Sequence, residues 1–235
     1  MYTFLDRNDE SITLRPEGTA SCVRACEQNG LLYNQTQKLW YYGPMFRYER
    51  PQKGRMRLFH QFGCEFIGSY NPLADAEIIG CAAMILSDLG VLDKCVLHLN
   101  SLGDTKSRDD YRHALITYLS DYKHLLSQDS KRRLDENPLR ILDSKAVEDQ
   151  QIVENAPRLP EFLTPQATEH FDQLTAALDT AEIDWHLDPT LVRGLDYYSH
   201  TAFEFITQAL GSQGTVLGGG RYDGLSATLG GPDIG

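Results

Sequence analysis

Lys38-Leu-Trp-Tyr-Tyr-Gly-Pro-Met-Phe-Arg-Tyr-Glu49 and Leu58-Phe-His-Gln-Phe-Gly-Cys-Glu-Phe-Ile67 are two aromatic-rich segments separated by the eight residues Arg50–Arg57. Successive side chains of a strand point to opposite faces. In the second segment Phe59, Gln61, Gly63, Glu65 and Ile67 therefore share one face, and Leu58, His60, Phe62, Cys64 and Phe66 share the other. The first face carries two isolated polar groups, and the second is nearly all apolar. A connection this short suits an antiparallel hairpin; a parallel pair needs a crossover of a dozen or more residues. Pro44 lacks an amide proton and implies an interruption or an edge.

The flanking segments follow the same logic. Tyr2–Leu14 reads as another hairpin, with two β-rich runs around an Asp6–Glu10 turn cluster. Arg15-Pro-Glu-Gly-Thr19 then breaks the strand and leads into a helix over about 19–29, closed by Asn29-Gly30. An apolar helix over 74–89 ends at Gly90, and a strand follows over Cys95–Asn100. From about Thr105 to His186 strand patterns vanish. Charged helical stretches occupy 106–126, 128–136, 145–155 and 165–181, punctuated by Asn137-Pro138, Pro157 and Pro160. Strand character returns at 187–206 and 213–217, before a glycine-rich turn at Gly218–Gly224. Antiparallel strands with helices grouped apart make an α+β class, mostly antiparallel sheet flanked by helices. The expected organisation is a core over 1–104, a helical insertion over 105–186, and a second part of the core over 187–235.

Composition narrows the function classes. A net charge of −11 argues against binding polyanions through the whole surface. A local exception stands out: Arg47, Arg50, Lys53, Arg55 and Arg57 face a single acid, Glu49, within eleven residues. A cationic hairpin on an acidic body suggests a placed anionic ligand. No stretch approaches the ~20 apolar residues of a membrane span, and the first residues do not form a signal peptide. Five cysteines without zinc-type spacing suggest reduced thiols and the cytoplasm.

Four constellations carry possible chemistry. In the first, Phe46-Arg-Tyr-Glu-Arg-Pro-Gln-Lys-Gly-Arg55 continuing to Glu65, an arginine on a strand can fork a phosphate while the basic loop that follows closes over it. Gly54 permits the loop's bend and Pro51 restricts its start. The ordinary alternative is a surface ion pair and a solvated turn. In the second, Leu14-Arg-Pro-Glu-Gly-Thr19, a tight bend presents a carboxylate and a hydroxyl at a helix start, or merely caps it through Thr19. In the third, Leu191-Val-Arg-Gly-Leu-Asp-Tyr-Tyr198 running into Phe205, an Arg-Gly bend precedes an aromatic strand. In the fourth, Gly218-Gly-Gly-Arg-Tyr-Asp-Gly224, three glycines let a backbone approach a flat ring. The Gly-Lys-Ser/Thr of a P-loop is missing. His60 is expected to be a satisfied core histidine. Lys131-Arg-Arg133, Asp109-Asp110 and Glu148-Asp149 are expected to be solvated helix faces.

Taken in order, these four segments resemble the histidyl-tRNA synthetases, a family of class II aminoacyl-tRNA synthetases. The first is similar to that family's motif 2, the third and fourth to its two histidine-specific signatures. The resemblance implies that Arg47 and Arg193 are catalytic, contacting the amino-acid carboxylate and the ATP α-phosphate. It assigns Arg47 to ATP, Glu49 and Arg55 to ATP and the tRNA end, Glu17 and Thr19 to the histidine α-amino group, and Gly18 to the histidine site. Gln61, Glu65, Tyr197 and Tyr198 are expected to complete the histidine site, with Glu65 and Tyr198 on the two ring nitrogens. In a regular strand Tyr197 and Tyr198 point to opposite faces, which favours Tyr198. Gly218, Gly219 and Gly220 are expected on the pocket wall.

The implied activity is formation of histidyl-adenylate from histidine and ATP, then transfer to tRNA(His). Mg²⁺ is expected with the phosphates, and no tightly bound protein metal. Homodimerisation is implied for a complete protein. Tyr48 stands where the family often has histidine. No motif 1 precedes Tyr2, the chain stops about where motif 3 would begin, and the anticodon-binding domain is absent, so a catalytic-domain fragment is expected. The alternative is a non-catalytic histidine-binding paralogue, such as the regulatory subunit of ATP phosphoribosyltransferase. Such relatives tend to lose the Arg-Gly-Leu-Asp-Tyr-Tyr stretch and the motif 2 basic loop, both present here.

Overall fold

A computed structural model describes residues 1–33, 35–52, 54–142, 144–195, 197–210 and 214–235. The chain is α+β and divides into two compact units. One comprises Met1–Val96, Phe205–Leu217 and Tyr222–Gly235; the other comprises Leu97–Glu204 and Gly218–Arg221.

The first unit opens with strands β1 (Thr3–Leu5) and β2 (Ser11–Thr13), paired antiparallel. Their turn is closed by Asp6, whose Oδ1 accepts from the amides of Asn8 and Glu10 at 2.7 and 2.9 Å. Helix α1 (Thr19–Gln28) follows, then β3 (Gln37–Phe46) and β4 (Leu58–Ile67). The last two form the expected antiparallel hairpin, in register from Gln37↔Ile67 to Phe46↔Leu58. Helix α2 (Pro72–Asp88) starts on an Asn71 cap that accepts from Leu73 N at 2.9 Å, with proline in the first turn, where its missing amide costs nothing.

Alternation along β4 holds, but the face that turns inward is the one bearing the polar groups. Ile67 and Glu65 are 1% and 7% exposed, whereas Trp40, Tyr42 and Phe62 are 71%, 66% and 50% exposed. His60 is consequently exposed and not a core histidine. Its ring stacks on Tyr42 at 5.5 Å, beside the Trp40–Phe62 stack at 5.9 Å.

The second unit carries β5 (Val96–Ser101), then α3 (Thr105–Asp121), α4 (Gln128–Glu136), α5 (Val147–Val153) and α6 (Pro165–Thr180). Strands β6 (His186–Leu187), β7 (Ser199–Ile206) and β8 (Thr215–Arg221) join β5 in the order β6-β5-β7-β8, with β6 parallel to β5. The helices bury Leu115, Leu119, Leu134, Ile141 and Ile152 in one apolar cluster. A reciprocal knot ties the starts of α3 and α6. Asp104 caps α3 by accepting from Ser107 N at 2.7 Å and from Thr164 Oγ1 at 2.5 Å, and Thr164 N returns a bond to Ser107 Oγ at 2.9 Å.

Three sequence expectations are corrected in this unit. The described residues 188–195 and 197–198 are not strand. Pro189 supplies no amide, and Asp188 folds the chain into a turn by accepting from Thr190 N at 3.0 Å. Gly218–Gly220 are not a turn but lie within β8, which runs on to Arg221. Asp149 is not solvated; it is fully buried. It accepts from Ser127 N (2.9 Å), Ser127 Oγ (2.7 Å), Ser130 Oγ (2.6 Å) and Ser144 Oγ (2.5 Å). Lys131-Arg-Arg133 is an exposed to half-buried helix surface, where Arg132 and Arg133 both pair with Asp129.

Candidate active site

In the first unit a carboxylate slot is assembled around Glu65. The N-cap of α1 is Gly18, which has no side chain, and Glu17 takes over by accepting from the Ala20 amide at 3.2 and 3.3 Å. Thr19, relieved of capping, donates its hydroxyl to Glu65 Oε1 at 2.8 Å. Tyr222 donates to Glu65 Oε2 at 2.7 Å, and the Tyr41 phenol also bonds the carboxylate. Burial pushes the Glu65 carboxyl above the usual carboxylate range; the bonds from Tyr222, Thr19 and Tyr41 pull it down without cancelling that rise.

The Tyr41 ring lies where only glycine permits it. A Cβ at Gly18, or at Gly63 directly across the hairpin, would overlap the ring. Gly18 thus has a structural reason beyond any ligand. Gln61, on the same strand as Glu65, has its Oε1 buried without a hydrogen-bond partner among the described residues. Such an atom is costly unless something pairs with it. On α1, burial and Cys26 push the Cys22 thiol up to about 12, so it stays a thiol.

Arg47 follows β3 immediately and is held on three sides. Its amide bonds Arg57 O at 2.9 Å, its Nε donates to Pro16 O at 2.9 Å, and its guanidinium lies 4.8 Å from the centroid of the Phe59 ring. In the adjoining loop Arg55 pairs with Glu49, which holds the Glu49 carboxyl below its usual range. Arg57 Nε donates to Glu49 O at 2.9 Å. Gly54 adopts φ +77°, the left-handed bend that the sequence reading required. Lys53 lies outside the described residues.

In the second unit Arg193 is largely buried and paired with Glu204 at 2.5 Å. Its guanidinium sits 5.2 Å from the centroid of Tyr198, and its Nε is buried without a partner among the described residues. The glycine run makes room for this group. A Cβ at Gly218 would stand 3.0 Å from Arg193 Nη1, one at Gly219 would stand 2.7 Å from the Phe203 ring, and one at Gly220 would stand 2.9 Å from the Tyr198 ring. Tyr197 and Tyr198 precede β7, and their rings contact each other at 4.6 Å, so they do not point to opposite faces.

The sequence profile described as histidyl-tRNA synthetase matches residues 1–233. The chain belongs to the histidyl-tRNA synthetase family. It is 57% identical over 232 residues to a histidine–tRNA ligase of Gluconacetobacter diazotrophicus, which covers 99% of this chain and 56% of that protein. The crystal structure of apo S. aureus histidyl-tRNA synthetase is similar at 41% identity and a TM-score of 0.78, over 99% of this chain and 56% of the other. A Bacillus halodurans structure described as an ATP phosphoribosyltransferase regulatory subunit/histidyl-tRNA synthetase shares the fold, at 23% identity, a TM-score of 0.60, and 98% and 63% coverage. The chain thus spans little more than half the length of the relatives it matches best in identity here.

Within this member of the histidyl-tRNA synthetase family, the first unit holds Glu17, Gly18, Thr19, Arg47, Glu49, Arg55, Gln61 and Glu65. The second holds Arg193, Tyr197, Tyr198 and Gly218–Gly220. Thr19 and Glu65 touch directly, as do Glu49 and Arg55. Sequence reasoning missed Tyr41, Tyr222 and Glu204. Tyr41 carries no signal beyond strand alternation, and Glu204 only its place inside the third quoted segment. Tyr222 does have one, because it sits inside the quoted glycine-rich signature.

Proposed function

We propose that the complete protein is a histidine–tRNA ligase, joining histidine to ATP as histidyl-adenylate and then to tRNA(His). Besides the family, the supporting observation is the Glu65 slot, a nearly buried carboxylate ringed by hydroxyl donors. A hydroxyl has one proton and two lone pairs. Thr19 gives its proton to Glu65 and also meets the Tyr41 phenol, so one lone pair is left to accept from an α-ammonium, with Glu17 alongside and Gly18 in the same bend. The ionised Glu65 can accept only, which suits a ring N–H, and Tyr198 is assigned to the other ring nitrogen. Gln61 is given the amino-acid backbone, Tyr197 is given to histidine, and Gly218–Gly220 to the pocket wall. A pocket built on such bonds rejects substrates lacking the matching group by ~10⁴–10⁵.

The histidine carboxylate is already ionised at neutral pH, so its attack on the α-phosphorus needs no protein base. Two anions must instead be neutralised and aligned, the task assigned to Arg47 and Arg193. Glu49 and Arg55 orient ATP, which binds with Mg²⁺ on its phosphates. The segment 105–186 is taken as an insertion into a core formed by 1–104 and 187–235, and the complete enzyme as a cytoplasmic homodimer. No described helix is long and apolar enough to cross a membrane. Replacement of Arg193 by Ala in the full-length protein is expected to abolish histidine-dependent pyrophosphate exchange while histidine still binds. A near-normal exchange rate rejects the assignment. Aminoacylation by the wild-type protein separates this reading from a histidine-binding paralogue.

A further inference from the structure

Glu65 is a carboxylate that burial would rather keep neutral, in a position where a neutral carboxyl would serve poorly. A protonated carboxyl donates one hydrogen bond, whereas an anion only accepts. The groups around it are Thr19, Glu17, Cys22 and Cys26 at or beside α1, Tyr41 on β3, and Tyr222 from the far end of the sequence. None of these is a cation. The negative charge therefore rests on hydroxyl protons, and each oxygen has its own donor. Thr19 holds Oε1 and Tyr222 holds Oε2. Tyr41 is fixed by its packing against Gly18 and Gly63. Thr19 is already assigned to the amino group, whereas Tyr222 brings its hydroxyl to Oε2 from 157 positions along the chain.

We propose that Tyr222 is a positioning residue, whose hydroxyl fixes Glu65 as an oriented anion and so sets the slot to accept a ring N–H. This rests on the assignment of Glu65 to the histidine ring. Loss of the hydroxyl leaves the ring packing intact but removes one donor from a buried anion, so Glu65 takes up a proton more readily. The damage then depends on pH, deepest where Glu65 protonates and shallow where it is ionised regardless.

The test uses the full-length protein with Tyr222→Phe and Glu65→Gln, measuring KM for histidine and for ATP in pyrophosphate exchange. Each variant is expressed as a ratio to wild type at the same pH, which cancels the titration of free histidine. For Tyr222→Phe the histidine KM ratio is expected to be about tenfold at the acid end of the working pH range and only about twofold to threefold at its alkaline end. The ATP KM should stay at the wild-type value. A histidine KM ratio that does not change with pH, or an ATP KM that rises with it, means a merely structural tyrosine and overturns the proposal. If Glu65→Gln raises the histidine KM while Tyr222→Phe stays flat, only the proposal falls. If Glu65→Gln leaves the histidine KM unchanged, the proposal falls together with the assignment beneath it.

Discussion

Glu65 in the first unit and Asp149 in the second are both buried carboxylates served by several hydroxyls, yet their protonation is biased in opposite directions. For both, burial is the largest influence and favours the neutral acid. At Asp149 the bonds from Ser130, Ser144 and Ser127 outweigh it, and the carboxyl is held below its usual range. At Glu65 they do not. The neighbouring Glu17 carboxylate adds to the rise at Glu65, and the origin of the donors differs too. Asp149 receives a backbone amide and three serine hydroxyls, all from residues within 22 positions of it. Glu65 draws on Tyr41 from the paired strand and on Thr19 and Tyr222, 46 and 157 positions away. A carboxylate that staples a local fold can be fully satisfied by its own protein. A carboxylate that receives a ligand, the role proposed for Glu65, must keep some accepting capacity open, and that deficit destabilises the fold while it serves binding.

That contrast can be broken most decisively at Asp149. Asp149→Ala leaves three serines and an amide without their acceptor, and is expected to cost about 3 kcal/mol by urea unfolding of the full-length protein. Its histidine KM should be unchanged; a raised KM would join the two carboxylates into one functional system. Glu65→Gln should do the reverse, raising the histidine KM about a hundredfold while the urea midpoint rises. Gly18→Ala drives a methyl into the Tyr41 ring. The expected destabilisation is about 2 kcal/mol, accompanied by a weaker histidine affinity because Tyr41 also bonds Glu65.

Titration sharpens the same comparison. Asp149 is depressed on folding, so its stabilisation is present above its unfolded value and disappears as pH falls through its folded one. Glu65 is raised on folding, so it opposes folding once ionised, and the fold recovers as pH falls through its raised value. Descending from neutral pH, the wild-type urea midpoint should exceed that of Asp149→Ala until strongly acidic conditions close the gap. The gap between wild type and Glu65→Gln should close earlier. The smallest effect is reserved for Arg132→Ala, whose exposed ion pairs with Asp129 and Glu136 should contribute less than about 0.5 kcal/mol.

Much of the architecture could be read from local pattern. The two hairpins, the helices at 19–28 and 72–88 and the helical run from 105 to 180 each follow from strand alternation, caps or proline punctuation within a few residues. Where local reading failed, the cause was nonlocal. His60 and Asp149 were misplaced because solvent exposure depends on which face another element covers. The glycine trio reads as a turn in sequence because glycine is permissive in any conformation; its reason is the crowding of Arg193, Phe203 and Tyr198 against β8.

By itself, the order of residues determined the class of fold, the hairpin that carries Arg47, Gln61 and Glu65, and the family to which the chain belongs. These depend on periodicity, on short-range sterics and on motifs that survive in linear form. Only tertiary structure decided that the polar-bearing face of β4 turns inward, that Tyr41 occupies the space two glycines leave, and that Tyr222 reaches back to Glu65. Alternation groups side chains by face but cannot say which face meets water, and the protonation of a buried acid is set by neighbours that the chain brings in from far along its length.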